Sequence, residues 1–235
     1  MKSTVNPRRR YGRGGVGPKD SCYNSVRWQL MYNRLAGSNV ERLAALSDGI
    51  FAVAMTLLVL DLHVPASDAV HGGGFGKALC TLTPQIVTYL MSFLTLGIFW
   101  NGQQVQLNYV DRSDRHFTWI HLAFLFGITL MPFSTKLLSE FITQRGALLC
   151  YWANILLLGA ILFAAWRYSV RAKLVPADTV AEIKSIVERR IIVAQALYAV
   201  GALLCAINTY VSIAFIVLVQ LNFAVAPRIK WLSEI

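Results

Sequence analysis

Three polar side chains stand immediately before a long apolar stretch of the chain. Arg42, Ser47 and Asp48 lead into Gly49–Leu60, which contains no charged residue. If that stretch crosses a membrane, charged and hydroxyl groups at its mouth are costly to desolvate, and their presence there indicates a function. A guanidinium, a hydroxyl and a carboxylate at this spacing can hold neighbouring helices together through hydrogen bonds, or they can handle ions.

The composition places these residues in a membrane protein. Hydrophobic residues make up 56% of the 235-residue chain and charged residues only 14%, and the mean hydropathy is +0.51. A soluble domain carries about 25% charged residues, so this chain has too few to cover a surface that faces water. The length suits a single bundle of membrane helices.

Six apolar windows follow the basic N-terminal segment, each close to the roughly 20 residues that cross a bilayer as a helix. The last apolar block, Ile191–Ala226, is too long for one span, because as a helix it would measure roughly 54 Å against about 30 Å of hydrocarbon. Asn208-Thr209 is its most turn-like point. The sequence therefore predicts an all-α polytopic membrane protein with six transmembrane helices: Leu43–Val64, Leu82–Gln106, Phe117–Leu138, Ala147–Trp166, Glu188–Ile207 and Thr209–Ala226.

The basic residues support this topology. With six spans both termini lie on one side of the membrane, and every Lys and Arg except Lys77, Lys136 and Arg145 then falls on that side. Cytoplasmic loops carry the excess of Lys and Arg, so we expect both termini in the cytoplasm and the chain in the inner (plasma) membrane. The predicted divisions are a basic, partly disordered cytoplasmic tail over 1–40, a six-helix domain over 41–227 and a short cytoplasmic C-terminus over 228–235.

One face of the first predicted helix carries a stripe of four residues. Val53, Thr56, Leu57 and Leu60 recur at positions i, i+3, i+4 and i+7, which lie on a single side of an α-helix. Spacing alone favours packing of this stripe against a neighbouring helix, and it leaves open a stripe that lines a pathway.

The chain resembles the transmembrane protein 175 potassium channels. Arg42 to Asp48 is similar to the family signature Arg-x-x-x-Phe-Ser-Asp, and Gly49–Leu60 reads like the family's first helix. The resemblance continues at Trp100-Asn101 and at Leu130–Thr135. It covers most of the chain from Glu41 onward, and the basic tail lies outside it.

That resemblance implies a homotetramer in which helix one of each subunit lines a central pore. Val53, Leu57 and Leu60 match the family's hydrophobic constriction, and Thr56 matches a ring of threonines proposed to contribute to selectivity. Rings of leucine and valine close a pore by dewetting. The chain has no Thr-Val-Gly-Tyr-Gly filter, so we expect modest potassium selectivity that comes from side chains.

The resemblance also implies a polar network that tethers helix one to its neighbours. Its expected members are Arg42, Ser47 and Asp48 on helix one, with Trp100 and Asn101 on helix two as partners. Leu46 stands where the family has phenylalanine, which keeps a bulky apolar group and removes the aromatic ring. Gln103, Gln104, Gln106 and Asn108, at the end of helix two, are expected to be cytoplasmic boundary residues.

These features predict a passive, potassium-permeable cation channel without a cofactor, an enzyme activity or a nucleic-acid partner. Its expected partners are three further copies of itself, the lipid bilayer and monovalent cations, with potassium as the permeating ion and no resident metal. A secondary transporter or proton-coupled cation exchanger is the alternative, although such proteins place ionisable groups at mid-membrane and Asp48 and Asp61 lie near helix ends. A membrane enzyme lacks a cluster of acid, base or metal-ligand residues, and a purely structural role remains open.

The predicted topology has a direct test. A reporter that is active only in the cytoplasm, fused after Ile235, should be active, and a reporter active only outside the cytoplasm should be silent at the same site. The opposite pair of results would contradict an even number of spans with both termini inside.

Overall fold

The computed structural model describes residues 40–63 and 75–225, which contain eight helical segments and no strand. Single residues, Leu82 and Leu130, separate two pairs of these segments, so the eight form six helical rods. The predicted all-α, six-helix fold is confirmed, while all but residue 40 of the predicted tail over 1–40 and the whole predicted C-terminus over 228–235 lie outside the described residues. The segments are α1 (Val40–Leu60), α2 (Phe75–Thr81), α3 (Thr83–Asn108), α4 (Arg115–Thr129), α5 (Met131–Glu140), α6 (Arg145–Arg171), α7 (Ala177–Leu204) and α8 (Thr209–Val225).

Prolines account for both interruptions. Pro84 and Pro132 stand in the first turns of α3 and α5, where the missing proline N–H would have had no partner within the helix. At the second break the chain passes through Leu130, whose N–H donates to the Gly127 carbonyl at 3.3 Å. The third predicted span is therefore one rod made of two helices.

The long apolar block is divided where the sequence predicts. α7 ends at Leu204 and α8 begins at Thr209, and the Asn208 side-chain oxygen accepts a hydrogen bond from the Tyr210 N–H at 2.8 Å. α7 begins at Ala177, eleven residues before the predicted span. Val180 and other apolar residues in this added length pack on a cluster at one end of the bundle, which explains why the helix extends beyond the membrane window.

Successive rods run antiparallel, and this gives the bundle two distinct ends. We call the end that holds the starts of α1, α4 and α7 the basal end, and the opposite one the apical end. At the basal end the Asp111 N–H donates to the Leu174 carbonyl at 3.1 Å. At the apical end Lys136 pairs with Asp61 at 3.5 Å. The described basic residues, apart from Lys77, Lys136 and Arg145, all lie towards the basal end.

Close helix contacts are made at glycines. A Cβ atom added to Gly127 would lie 2.8 Å from Leu158 Cδ2, so α4 and α6 can approach this closely only without a side chain there. Gly201 plays the same role between α7 and Ile216 of α8, at 2.7 Å. Small residues at contacts are typical of membrane bundles, in which tight packing replaces the hydrophobic effect between helices.

Three of the described helices are long and apolar enough to cross a membrane: Val40–Leu60, Arg115–Glu140 and Arg145–Arg171. Thr209–Ala224 is apolar but shorter. α3 is less apolar than these helices because it buries polar side chains inside the bundle. α7 is less apolar because its first turns carry charged residues. The polar residues buried on α3 are Thr88, Ser92, Thr95, Gln103 and Gln106.

Candidate functional site

The first helix has one buried face and one uncovered face. Its inner side packs on α3, α4 and α5 through Leu43, Ser47, Phe51, Ala54 and Leu58, all at most 6% exposed. The predicted stripe lies on the other side, which the described residues of the subunit leave exposed. Val53 is 58% exposed, Leu57 44% and Leu60 72%, and Thr56 is exposed as well.

A shallow apolar groove runs beside this stripe. It has a volume of about 400 Å³ and lies between α1 and the α4–α5 junction. Leu46 and Gly49 form its wall on α1 together with the stripe, and Thr129 and Pro132 form the opposite wall. Val53 and Leu57 of the stripe are thus part of a wider apolar surface, with Leu46 at its basal end.

Thr56 is the one polar member of the stripe. Its hydroxyl donates to the Val53 carbonyl at 2.9 Å, a bond within the helix that fixes the hydroxyl proton inward. The lone pairs of the hydroxyl oxygen remain available on the uncovered side, where an oxygen can ligate a cation.

Asp48 anchors α1 to α3 at the surface. One carboxylate oxygen, Oδ1, accepts hydrogen bonds from Trp100 Nε1 at 2.8 Å and from Gln104 Nε2 at 2.6 Å. The two donors are four residues apart on α3, so they lie on one face of that helix. A carboxylate acceptor makes both bonds stronger than neutral ones.

Ser47 anchors the same turn of α1 inside the bundle. Its hydroxyl donates to the Leu43 carbonyl at 2.9 Å and accepts from Gln103 Nε2 at 2.6 Å. The Gln103 amide also lies 2.7 Å from Nε2 of His121 on α4. Since the amide nitrogen is a donor to both partners, His121 Nε2 must be the acceptor, which leaves its proton on Nδ1. Ser47, Gln103 and His121 are each at most 1% exposed.

Two predicted members of the network lie elsewhere. Asn101 is exposed and has no hydrogen bond to the Asp48 cluster, because one residue along a helix turns the side chain about 100° away from Trp100. Arg42 is exposed on the first turn of α1, on the face that continues to Leu46 and Val53 and away from Asp48. The structure therefore brings together Ser47, Asp48 and Trp100, with partners the sequence prediction did not include.

Gln103 and Gln104 are those partners, and they do more than mark the boundary at the end of helix two. Gln103 is fully buried, and both amides bond to α1. Their spacing of three and four residues from Trp100 is the signal that places them beside it.

A second polar network, which the sequence did not reveal, lies deeper in the bundle. The Tyr151 hydroxyl on α6 lies 3.3 Å from Ser92 Oγ and 3.0 Å from Thr95 Oγ1, both on α3. Thr135 of α5 donates to Ser92 at 2.6 Å, and Gln220 of α8 donates to Thr95 at 2.7 Å. Four rods are joined in this way, since a buried polar group must find a partner inside the protein.

Within the described ranges, no three His, Cys, Asp or Glu side chains come close enough to hold a metal ion. Cys80, Cys150 and Cys205 are all free thiols.

Comparison with known proteins identifies the family. The sequence model of the endosomal/lysosomal potassium channel TMEM175 family matches residues 42–132, which include both anchors of α1. A protein of Chamaesiphon minutus, Potassium channel Cha6605_3372, is 33% identical over 138 residues, which cover 57% of this chain and 68% of the relative. The chain belongs to the TMEM175 family. The resemblance predicted from the Arg42–Asp48 signature is confirmed.

Other TMEM175 relatives match over a smaller part of their length. Potassium channel B446_29190 of Streptomyces collinus is 38% identical over 106 residues, 45% of this chain and 50% of the relative. The endosomal/lysosomal proton channel TMEM175 of Gallus gallus is 32% identical over 108 residues, 43% of this chain and 21% of the relative. The chain thus spans about half of the Streptomyces relative. All three relatives are named channels, which confirms that the family is not one of enzymes.

The fold agrees with a solved TMEM175 structure. The crystal structure of a lysosomal potassium-selective channel TMEM175 homolog from Chamaesiphon minutus matches with a TM-score of 0.69 at 26% identity, covering 80% of this chain and 98% of that one. Together with the apolar helices, this makes the chain a membrane protein.

The buried anchor of α1 should matter for stability. Ser47→Ala leaves the Gln103 amide without one of its two acceptors inside the bundle, and such a loss costs about 1–3 kcal/mol. We expect a lower Tm for the purified variant in detergent. Ser185→Ala, at an exposed site on α7, is the matched control and should stay within about 0.5 kcal/mol of the wild type. Equal Tm values for the two variants would show that the hydrogen bond between Ser47 and Gln103 contributes nothing to stability.

Proposed function

We propose that this TMEM175-family chain is one subunit of a homotetrameric, potassium-permeable cation channel whose pore is lined by α1. The observation that carries the proposal is the asymmetry of α1: one face is fully buried, while the Val53–Leu60 stripe is uncovered in the subunit. Four copies around a symmetry axis would bring four stripes together. The names of the bacterial relatives, which are potassium channels, support the same assignment.

The gate of this channel is apolar. Val53, Leu57 and Leu60 lie on successive turns of α1, so four subunits would stack three apolar rings along the axis. A narrow ring of this kind expels water, and an ion cannot pass without its hydration shell. Opening requires α1 to tilt or rotate until the rings widen. The anchors at Ser47 and Asp48 hold the basal end of the helix while its apical half moves.

Thr56 supplies oxygen within this apolar throat. Its hydroxyl proton is engaged by the Val53 carbonyl, so four threonine oxygens would face the axis as acceptors. They can replace part of the hydration shell of a cation. Because few ligands are offered and the site is formed by side chains, discrimination between potassium and sodium is modest.

The basal end faces the cytoplasm in this proposal, and the membrane is the inner (plasma) membrane. The support is the excess of Lys and Arg at that end, which the positive-inside rule assigns to the cytoplasm. Both termini then lie inside.

Proton permeation is a second candidate conductance, because the animal relatives are named proton channels. A proton-coupled exchanger is a different mechanism. It needs ionisable groups at mid-membrane, whereas Asp48 is engaged by Trp100 and Gln104, and Asp61, which follows the end of α1, is paired with Lys136. Saturable flux coupled to a proton gradient would favour an exchanger, and linear, uncoupled flux favours a channel.

The gate can be opened by mutation. Leu57→Ala removes a ring of four isobutyl groups from the proposed constriction, so water and ions can enter a wider throat. We expect purified protein in liposomes to pass potassium passively, and the variant to pass it several-fold faster in the resting state.

Val59→Ala is the matched control for this experiment. Val59 is as exposed as Leu57, at 47% against 44%, but it lies about 200° around the helix from Leu57. The control should conduct like the wild type. If the wild-type protein passed no potassium, the proposal that the chain forms a channel would be wrong. If the Leu57→Ala and Val59→Ala variants passed potassium equally fast, the constriction would not lie at Leu57.

Selectivity should depend on the Thr56 oxygen. Thr56→Val keeps the shape of the side chain and replaces the hydroxyl by a methyl group, so the potassium-to-sodium permeability ratio should fall towards one. Thr56→Ser, which keeps the oxygen, should preserve the ratio. The measurement is the reversal potential in mixed potassium and sodium across a planar bilayer, and a ratio that Thr56→Val leaves unchanged would exclude the threonine ring as a selectivity element.

A further inference from the structure

A second cavity lies inside each subunit, away from the α1 stripe. It has a volume of about 240 Å³ and is enclosed by α3, α6, α7 and α8 in the basal half of the bundle. We call it the basal cavity. Most of its wall is apolar, formed by side chains that include Phe99, Val105, Leu162, Ile191 and Phe223.

Two glycines line this cavity, and only one of them has free space in front of it. A Cβ atom added to Gly102 of α3 would meet only Leu162 Cδ2, at 3.7 Å, which is ordinary contact distance, so the space in front of Gly102 is free. At Gly159 of α6 the corresponding space is filled by the Gln195 side chain. A larger residue at position 102 would therefore enter the cavity without striking the backbone of a neighbouring helix.

A buried polar group faces the cavity without a partner. Gln106 of α3 is only 4% exposed and lines the wall, and its side-chain amide makes no hydrogen bond to any residue the structure describes. Gln195 also lines the wall, and its Oε1 is buried without a partner in the same part of the chain. The Gln195 oxygen is fully enclosed by protein, whereas the unpartnered Gln106 amide on the wall is not; because amides inside a protein are normally satisfied, Gln106 suits a guest with polar atoms as well as apolar ones.

The mouth of the cavity combines apolar and positive groups. Ile186 and Arg190 of α7 line it and are both exposed, Ile186 to 64%. Arg190 has no ion pair within the described ranges, whereas Arg167 nearby is paired with Glu188 at 3.6 Å. A free guanidinium beside an apolar opening suits a phosphate that carries a hydrocarbon chain.

We propose that the basal cavity binds one acyl chain of an anionic phospholipid from the surrounding leaflet. The phosphate pairs with Arg190 at the mouth, the Gln106 amide N–H donates to the ester carbonyl, and the hydrocarbon lies against Phe99, Leu162 and Phe223. The volume accommodates part of a single chain, so the second chain stays in the bilayer. This site is independent of the pore and of the ion that passes through it.

Native mass spectrometry of the purified assembly tests the site. The protein is titrated with phosphatidylglycerol and, separately, with phosphatidylcholine of the same chain length. We expect preferential binding of phosphatidylglycerol. Arg190→Gln should weaken that binding about fivefold, the factor that corresponds to the attraction of one basic residue for an anionic lipid. Its matched control is Arg189→Gln, an exposed neighbour that does not line the cavity, and it should bind like the wild type.

A second variant tests the cavity itself. Gly102→Leu should abolish the tightest lipid site in protein that keeps its assembled mass, while Gly146→Leu, at an open and exposed site, should retain it. A phosphatidylglycerol with a diazirine near the end of one chain should label peptides that contain Leu162 or Phe223. Glycerol phosphate, which lacks the chain, should not compete.

Three results would overturn the proposal. Equal weakening by Arg189→Gln and Arg190→Gln would show general attraction to a basic surface. Competition by glycerol phosphate would show an anion site without a chain. Unchanged lipid binding and labelling in assembled Gly102→Leu would place the lipid outside the cavity. If that variant does not assemble, labelling of the wild type only on other peptides would equally place the lipid elsewhere.

Discussion

The structure depends on one constraint: α1 is held by a single face. At its basal end Asp48 fastens it to α3 at the surface, and Ser47 fastens it to α3 and α4 inside the bundle. Beyond these anchors the contacts of α1 are apolar, through Phe51, Ala54 and Leu58. Apolar contacts in lipid carry little driving force of their own, so the polar anchors fix the basal half of α1, and in the proposed channel its apical half moves against the ion pair Asp61–Lys136.

α3 is the common partner that makes this possible. Its basal turns present Trp100, Gln103 and Gln104 to α1, and its middle turns present Ser92 and Thr95 to the buried hydroxyl network. This explains why α3 is not among the helices that are apolar enough to cross a membrane by composition, although it packs on most of the other rods. Its polar side chains are satisfied by other helices, as a bundle in lipid requires. α3 is thus polar inside the bundle, and α1 is apolar on its exposed face.

Much of this architecture follows from the sequence. The six rods, the turn near Asn208 and the concentration of basic residues at one end are visible as periodicity, block length and charge. The partners of α1 are not, because the spacing of Gln103 and Gln104 allows either a water-facing or an inward position until the register between helices is known. Asn101 illustrates the same limit. It follows Trp100 in sequence, but in a helix its side chain points about 100° away from that of Trp100. The Tyr151 network joins residues far apart in sequence, which no local pattern encodes.

The central claim is that the uncovered face of α1 lines the conduction path. The most direct test is a chain in which its four cysteines are replaced by serine and a single cysteine is placed at Leu60 or, for comparison, at Val59. Potassium flux is measured before and after treatment with a cationic, water-soluble thiol reagent. If the uncovered face of α1 lines the conduction path, the reagent blocks flux through the Leu60→Cys protein and leaves the Val59→Cys protein unchanged. Flux that continues undiminished through modified Leu60→Cys protein would contradict it.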